Sequence, residues 1–556
     1  MKDDLKSFYV AVILSAFVVF GVNYFFPKQV VQTPVEEEVS VPVENTEQIV
    51  DNKETLSSFE DASEVKLKDE RISIKNNVLT GSIRLKGARF DDLLLSKYKN
   101  TIDADSKPVE LLSPAKTANS YYAEYGWLSS NKNLKLPNKE TIWTVLGDRE
   151  LTPTSPVTLL WDNGEGVKFI YNISLDDNYL FEIKQTIENN TNETITLIPY
   201  GILSRRISDI AKRGGIVHEG FTAILDNDLK EINYADMKKL DEPKNFDTTG
   251  GWISFSDKYW FSAFVFNDVY KSKVSLRKIG DDFFQTDFKG LSLQIQPGSA
   301  SSIDSKFFAG AKEIKLLDKY SENIKKFDLA VDFGWYYFLT KPFFYILDFL
   351  YNFIGNMGWA ILLFAALLRI FLFPIANKSY ENMSKMKKIQ PKLVILQELY
   401  KEDKMGLQRA TMDLYKKEKI NPASGCLPMF IQIPIFFSLY KVLNIAIEIR
   451  HAPFIGWIKD LSAPDPLTIS VWSNVYIPSM LDIGIWPIIY GLTMYIQQKL
   501  NPAPANRDQA RMFALMPIVF TIMFAHFAVG LVIYWTLSNV LSIIQQKLIM
   551  HRNGVK

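Results

Sequence analysis

Cysteine and histidine, the side chains that most often bind transition metals, are scarce in this chain of 556 residues. It contains one cysteine, Cys426, and four scattered histidines. A single thiol excludes an internal disulfide framework and a cysteine-rich metal site, and the histidines provide little material for a cluster. The formal net charge of +1 gives no support for nucleic-acid binding. We therefore predict no metal, no cofactor and no direct nucleic-acid partner.

The motifs of common catalytic sites are also absent from the sequence. The chain has no Gly-x-x-x-x-Gly-Lys-Ser/Thr phosphate loop, no Gly-x-Ser-x-Gly motif and no His-Glu-x-x-His metal motif. No paired carboxylates lie within a long apolar segment. We predict no catalytic residues, and therefore a protein that is not an enzyme.

Long apolar segments, by contrast, occur at the start and in the second half of the chain. The first, within residues 8–26, is long enough to cross ~30 Å of hydrocarbon at ~1.5 Å per residue. Because no small-x-small cleavage pattern follows it, residues 1–26 predict an uncleaved transmembrane anchor. Further spans are predicted at about 356–376, 426–446, 480–498, 512–527 and 530–547.

The distribution of lysine and arginine predicts how these spans are oriented. Residues 377–425 are strongly basic, the 499–511 loop and the C-terminal tail carry further basic residues, and the 447–479 loop carries few. Six spans with both termini in the cytoplasm fit this distribution. Residues 27–355 then lie on the far side of the membrane.

The segment before the second span divides into a tether and a strand-rich domain. Residues 27–60 contain proline, glutamate and little bulk beyond valine, which predicts a flexible acidic tether. Over residues 61–325, short runs with apolar residues at every second position predict a large β-sandwich. The turn Asn189–Asn192 between two such runs predicts a hairpin. Other strands are predicted at 81–95, 167–174, 252–266 and 292–296.

Two helical patterns flank the second span. Residues 333–354 predict an amphipathic helix that starts near Thr340 and Pro342. Its apolar side consists of Trp335, Phe338, Leu339, Pro342, Ile346, Phe349, Leu350 and Phe353. This aromatic side favours a location in the membrane interface, although a helix packed on the β-domain would show the same pattern.

Residues 377–422 predict a cytoplasmic helical hairpin that turns at 401–404 and ends at Asn421-Pro422. It has a thin apolar seam and a basic exterior, which is also the pattern of a simple solvated hairpin. Flexible methionines suit a surface that accepts many apolar partners, although they are equally common as core filler. The candidate contact residues on its first arm are Met383, Met386, Lys387, Lys388 and Lys392.

Arg369 is the most informative residue, because it lies inside the second predicted span. It precedes Lys378 by nine residues, which places it ~13 Å from the cytoplasmic end of that span. An arginine at such a depth costs ~2.5–3.5 kcal/mol on insertion scales. No Asp or Glu lies in the core of any span from residue 356 onward. Snorkelling to the surface is one solution, and a water-filled cavity open to the cytoplasm is the simpler one.

Polar side chains on other predicted spans can line such a cavity, although the same residues also serve as ordinary helix–helix contacts. The candidates are Gln432 on the third span, Tyr490, Thr493 and Gln497 on the fourth, and Tyr534, Ser538 and Asn539 on the sixth. A solute transporter or channel would also explain this polarity, but transporters usually show internal repeats and an intramembrane acidic residue. A structural scaffold would have no use for Arg369.

Several short motifs occur along the second half of the chain in the order characteristic of one protein family. They are Phe333-Gly-Trp335, Lys341-Pro-Phe343, the Arg369 span with Pro374, Met383-x-x-Met386, Gln390-Pro-Lys392, Gly425-Cys-x-Pro428, Gln432-x-Pro-Ile-Phe436 and Ser538-Asn539. In these motifs the sequence resembles the YidC family of membrane-protein insertases. The first span, the acidic tether and the large far-side domain resemble the Gram-negative form of that family.

The resemblance implies a membrane protein insertase and chaperone of the cell inner membrane. The implied architecture is a six-span α-helical bundle with a five-helix core, the cytoplasmic hairpin and a periplasmic all-β sandwich. A hydrophilic groove containing Arg369 would receive short acidic tails, beside a greasy slide formed by the spans of Arg369 and Tyr534–Trp535. The implied partners are nascent membrane proteins, the lipid bilayer, the Sec translocon and, weakly through the cytoplasmic loops, the ribosome. Ala365 and Trp535 depart from residues frequent in the family.

Overall fold

The structure is a computed structural model that describes residues 59–209, 217–401, 403–418, 420, 427–502 and 507–554. The predicted anchor, residues 1–26, and nearly all of the predicted tether lie outside these residues. The described part consists of a β-domain followed by a helical region. This order is the one predicted from the sequence.

The β-domain begins with a short helix, α1 (Ala62–Leu67), and contains eighteen strands linked by hydrogen bonding. The strands are β1 Arg71–Lys75, β2 Leu79–Arg84, β3 Arg89–Lys99, β4 Pro108–Leu112, β5 Tyr121–Leu128, β6 Thr144–Leu146, β7 Glu150–Leu151, β8 Val157–Asp162, β9 Val167–Leu175, β10 Leu180–Asn189, β11 Ile195–Arg206, β12 Gly220–Leu225, β13 Asp228–Asn233, β14 Lys244–Ser256, β15 Trp260–Ile279, β16 Phe283–Lys289, β17 Leu293–Ile295 and β18 Ser299–Ala311. Helix α2 (Tyr234–Met237) follows β13, and α3 (Ile314–Tyr320) follows β18.

The core of this domain is formed by side chains from strands that do not share a ladder. The ring of Phe90 on β3 lies 5.4 Å from Phe181 on β10 and 5.4 Å from Phe307 on β18, whereas β3 itself pairs with β2, β4 and β5. Tyr125 on β5 contacts Phe264 on β15 in the same way, with centroids 5.0 Å apart. The sheet therefore encloses a packed interior between two layers, which confirms the predicted large β-domain.

The hairpin predicted at the Asn189–Asn192 turn is wrong. Strand β10 pairs with β9 on one edge and β18 on the other, so neither edge is open to β11, which pairs with β5, β16 and β17 instead. The buried Asn189 side chain donates to the carbonyl oxygens of Glu193 (2.8 Å) and Ile295 (2.9 Å). These bonds direct the chain toward β17 rather than back along β10.

The helical region begins with α4, Tyr337–Ile354. The helix starts three residues before the predicted Thr340, because the backbone N–H groups of Leu339 and Thr340 both donate to the carbonyl of Tyr336 at 2.8 Å. Pro342 therefore lies inside the helix and not at its first position. The remaining helices are α5 Met357–Leu399, α6 Lys404–Lys417, α7 Leu427–Ile445, α8 Ile469–Ser473, α9 Ile485–Leu500, α10 Arg507–Phe524 and α11 Val529–Arg552.

Helix α5 is continuous over 43 residues and joins two elements that the sequence predicted separately, the second span and the first arm of the hairpin. At ~1.5 Å per residue it is roughly 65 Å long, about twice the hydrocarbon thickness of a bilayer. Nothing ends the helix at residue 377, because the following segment is rich in lysine, glutamate, methionine and leucine, which favour helix. Pro374 and Pro391 are both accommodated within it.

Two of the described helices, α5 and α11, are long and apolar enough to cross a membrane. Shorter apolar helices cover residues 430–445 and 510–524. Together with α9, these helices fall at the five positions where the sequence predicted spans in this region.

Polar contacts join the β-domain to the helical region. The Asp332 carboxylate pairs with Lys441 on α7 at 2.6 Å. Beyond the end of α7, Glu448 accepts a hydrogen bond from the backbone N–H of Ile314 at the start of α3, at 3.2 Å. Arg450 donates to the carbonyl oxygen of Lys99 on β3 at 2.8 Å.

Candidate functional site

Arg369 lies half-buried on α5, facing α11. Its Nη2 donates to the hydroxyl of Tyr380 and to the carbonyl oxygen of Ser538, both at 3.4 Å, the long limit of a hydrogen bond. Its Nε is buried and has no hydrogen-bond partner among the described residues. A guanidinium carries five N–H donors, so these two long bonds leave several of its donors without a partner among the described residues.

Tyr380 is a site residue that the sequence analysis missed. It lies on the same helix as Arg369 and is buried against Ala376 and Ile549. The separation of eleven residues corresponds to about three turns at ~3.6 residues per turn, so both side chains face the same way. That spacing was the signal in the sequence, and it went unused because the span was predicted to end before residue 380.

Arg369 contacts α11, and α11 in turn contacts α7 one turn away. Tyr534 on α11 is buried, and its hydroxyl accepts a hydrogen bond from the Gln432 amide on α7 at 3.4 Å. Ser538 lies one turn further along α11 and supplies the carbonyl oxygen that Arg369 reaches. We call Arg369, Tyr380, Gln432, Tyr534 and Ser538 the arginine cluster.

The other predicted polar groove residues lie on α9 and on the face of α11 that packs against α9. Asn539 donates to the hydroxyl of Thr493 on α9 at 3.2 Å, and Thr493 donates to the carbonyl oxygen of Tyr490 at 2.7 Å. Successive residues on a helix are about 100° apart, so Asn539 points toward α9 while Ser538, the residue before it, lies on the side of α11 that faces Arg369 of α5. The structure thus divides the predicted set into two groups.

Trp535 is the centre of an aromatic group. Its ring stacks on Phe436 of α7 at 4.4 Å with an interplanar angle of 8°, and it contacts Phe524 of α10 at 4.1 Å and Tyr490 of α9 at 5.9 Å. The tryptophan therefore joins four helices as a packing residue. Gln497, one turn beyond Thr493 on α9, is half-buried.

The other sides of α5 around Arg369 are apolar and exposed. Leu367, Ile370 and Phe371 expose 45%, 69% and 79% of their surface. In a membrane such residues face lipid, so the arginine cluster lies next to a lipid-facing surface of the same helix.

Two of the five predicted hairpin residues, Met386 and Lys392, join its two arms, whereas Met383 packs between α5 and α11. Met383 packs on the group around Tyr380, and Met386 packs on Ile389 and its neighbours in the seam. Lys392 pairs with Glu418 at 2.7 Å. Lys387 is half-buried and Lys388 is exposed.

No group of three or more histidine, cysteine, aspartate or glutamate side chains within the described ranges is arranged to hold a metal ion. The polar groups of the arginine cluster are the Arg369 guanidinium, three hydroxyls and the side-chain amide of Gln432. Its composition suits the binding of water and of anionic groups.

Comparison with known proteins identifies the family. Residues 71–346 match the family described as YidC periplasmic domain, and residues 349–555 match the family described as 60Kd inner membrane protein. The membrane protein insertase YidC of Rickettsia felis is 44% identical over 560 residues, which cover 98% of this chain and 99% of that protein. The chain belongs to the YidC family of membrane protein insertases. The protein of the same description from Rickettsia rickettsii also shows 44% identity, with 98% and 99% coverage.

A solved structure described as an active YidC insertase with the first transmembrane domain resolved is 18% identical, covers 86% of this chain and 92% of its own, and has a TM-score of 0.36. Family membership confirms the resemblance seen in the sequence motifs. It also assigns the helical region to the inner membrane and the β-domain to the periplasm. The two matched families meet at α4, between residues 346 and 349.

Proposed function

We propose that this protein inserts integral membrane proteins into the inner membrane and assists their folding, alone or beside the Sec translocon, without catalysing a covalent reaction. The observation that carries the proposal is the Arg369 guanidinium, held by two long hydrogen bonds in the otherwise apolar first half of α5. A cost of ~2.5–3.5 kcal/mol for an arginine at depth argues for a function at this position, because an anchor helix would not need it.

The arginine cluster acts as the wet end of a groove open to the cytoplasm. Water bound by Arg369, Gln432 and Tyr534 lets a short polar tail enter without crossing the full hydrocarbon layer. The guanidinium attracts carboxylates on that tail through charge-assisted hydrogen bonds. The groove therefore favours substrates whose translocated segment is short and acidic.

The apolar segment of the substrate leaves the groove along the exposed face of α5 beside Leu367, Ile370 and Phe371. Hydrophobic partitioning drives this step. For an acidic tail, the membrane potential adds roughly 2.3 kcal/mol per elementary charge for each 100 mV. Neither source requires nucleotide hydrolysis.

The orientation follows from the basic segments of the sequence, with both termini and the hairpin in the cytoplasm and residues 27–355 in the periplasm. The hairpin and the 499–511 loop then form the surface for weak ribosome contact. Helix α4 lies in the periplasmic interface, where its exposed Phe338, Phe349 and Phe353 enter lipid.

The test is insertion of a short, acidic-tailed single-span protein in cells depleted of their own insertase and supplied with this chain. We expect the wild-type chain to restore insertion, Arg369→Ala to lower it about tenfold or more, and Arg369→Lys to retain most of it, because the charge persists. Arg552→Ala, at an exposed arginine of α11, is the matched control.

The outcomes separate the function from the mechanism. Full rescue by Arg369→Ala would show that the groove's shape and hydration suffice, and would contradict the role of its charge. No rescue by a well-expressed wild-type chain would contradict the insertase function itself.

A further inference from the structure

The segment Leu467–Leu481, which joins the loop after α7 to α9, contains no charged residue over its whole length. It nevertheless exposes large apolar side chains, with Trp472 at 62% and Tyr476 at 91% of their surface. Val471 and Val475 expose 62% and 58%. The family assignment and the arginine cluster give this segment no role.

These exposed side chains lie on a turn whose backbone is held by several hydrogen bonds. Asp482 accepts hydrogen bonds from the hydroxyl of Thr468 at 2.8 Å and from the backbone N–H of Ser470 at 2.9 Å. The backbone N–H of Ile469 donates to the carbonyl of Ile483 at 3.0 Å, which closes the base of the segment. The exposed apolar side chains therefore project from a segment whose base is fixed by hydrogen bonds.

The loop that precedes this segment contacts the first residues of the candidate membrane helices. The backbone N–H groups of Val529 and Gly530, in the first turn of α11, donate to the carbonyls of Ala463 (2.8 Å) and Leu461 (3.0 Å). The Asp465 carboxylate accepts from the backbone N–H of Trp486 at the start of α9 at 2.8 Å. The loop is thus at the level of the membrane boundary.

The same loop also reaches the start of α5. The side chain of Asn356, which caps that helix, donates to the carbonyls of Pro453 and Phe454 at 3.4 Å. Helices α5 and α11 are the two described helices long and apolar enough to span a bilayer. Their N-termini therefore mark one face of the membrane.

The apolar surface of the segment continues into that of α9. Ile488 and Leu492, on the first turns of this helix, are also exposed. Tryptophan and tyrosine prefer the boundary between headgroups and acyl chains, because their rings are apolar and their N–H or O–H groups remain hydrated. A charge-free segment with both residues at a helix start fits a lipid surface.

We propose that the segment Leu467–Leu481 inserts into the bilayer leaflet in which α5, α9 and α11 begin, with Trp472 and Tyr476 as interfacial anchors. Insertion holds α9 at a fixed depth. Because Tyr490 and Thr493 on α9 pack beside α11, the anchor also sets the height of one wall next to the arginine cluster.

The test uses the purified full chain in vesicles of phosphatidylcholine and phosphatidylglycerol. The chain carries Cys426→Ser and Val475→Cys, and the thiol at 475 is labelled with an environment-sensitive NBD fluorophore. We expect a blue-shifted emission that lipids carrying a doxyl group at the fifth acyl carbon quench by roughly half, and lipids with the doxyl group at the twelfth carbon quench less, as for a side chain ~5–10 Å deep. Tyr476→Cys gives a second labelling site.

Two control sites calibrate the measurement. Phe371→Cys, on the exposed middle of α5, should be quenched more by the deeper group, and Lys132→Cys, exposed on the β-domain, by neither. Unquenched emission at both 475 and 476, with normal quenching at 371, would overturn the proposal. Blue-shifted emission at 475 that the doxyl lipids quench only after the protein is diluted in lipid would indicate that a second copy of the chain covers the segment, and would also overturn the proposal.

Discussion

Tyr380 and Ser538 contact the same guanidinium through different groups, and this difference makes their roles separable. Tyr380 uses its side-chain hydroxyl, whereas Ser538 uses its backbone carbonyl. We expect Tyr380→Phe to lower insertion of an acidic-tailed substrate a few-fold, because a lost hydrogen bond to a charged group is worth about 1.5–3 kcal/mol at most and this one is long. Ser538→Ala keeps the carbonyl and should insert at the wild-type rate in the same assay. Equal losses in both variants would contradict this assignment.

Glu448 lies between the β-domain and the helical region, and its titration makes the stability of the protein depend on pH. Burial raises the pKa of this carboxyl from 4.5 to about 7, and Glu313 and Asp348 nearby add to the effect. Because the folded pKa lies above the unfolded one, the stabilisation is complete below pH 4.5 and is lost as the pH rises through about 7. The full contribution is on the order of 3 kcal/mol.

The measurement is thermal unfolding of the purified chain in detergent between pH 4.5 and 8. The wild-type chain should lose stability with rising pH, and Glu448→Gln, which stays neutral and can still accept from Ile314, should lose less. Glu398→Gln, at an exposed carboxyl, is the control. Parallel curves for the wild-type chain and Glu448→Gln would contradict the role of this carboxyl.

Among the helices, α5 and α6 form a hairpin with a very small core. Ile389, Leu393 and Ile420 are its buried members. We expect Ile389→Ala to destabilise the hairpin by about 2 kcal/mol, the low end for a buried isoleucine because so small a seam can collapse. Faster hydrogen exchange over residues 377–417 would report this loosening. Ile395→Ala, at an exposed position of the same helix, should leave the exchange unchanged, and equal effects of the two variants would contradict the seam.

For the molecule as a whole, the proposed orientation places the β-domain and the hairpin turn on opposite sides of the inner membrane. In a Cys426→Ser chain, Lys132→Cys should react with a membrane-impermeant maleimide once the outer membrane is permeabilised. Lys401→Cys, at the hairpin turn, should react only after the inner membrane is disrupted. Reaction of both sites before disruption would contradict the orientation.

Local sequence patterns were sufficient to predict helices, because a helix satisfies its backbone hydrogen bonds within one segment of the chain. Helices could be expected at the positions of the predicted spans because an apolar helix needs no partner to define its period, and the helix Val529–Arg552 overlaps the predicted segment 530–547. The predicted span and the predicted first arm of the hairpin meet at residue 377, where the structure continues as one helix. Charged residues mark a membrane boundary, but they do not end a helix.

The pairing of strands could not be obtained in this way. The alternation in β10 and β11 was visible in the sequence, but some partners of these strands lie far away in the chain, as Phe308 lies 128 residues from Leu180. Any open edge satisfies the backbone equally well. The hairpin at Asn189 was the nearest solution in sequence, and the two occupied edges of β10 excluded it.

The chain order, the helices, the β-domain and the position of Arg369 within an apolar run follow from the sequence, because apolar runs, alternation and a lone charge are local properties. Long-range packing determined which polar residues surround that charge. The rotation of α11 turns Ser538 toward Arg369 on α5 and Asn539 toward Thr493 on α9, so the residues of one predicted groove divide between an arginine cluster and a separate group on α9. The phase of a helix against its neighbours depends on all the side chains that pack at once, and no single segment specifies it.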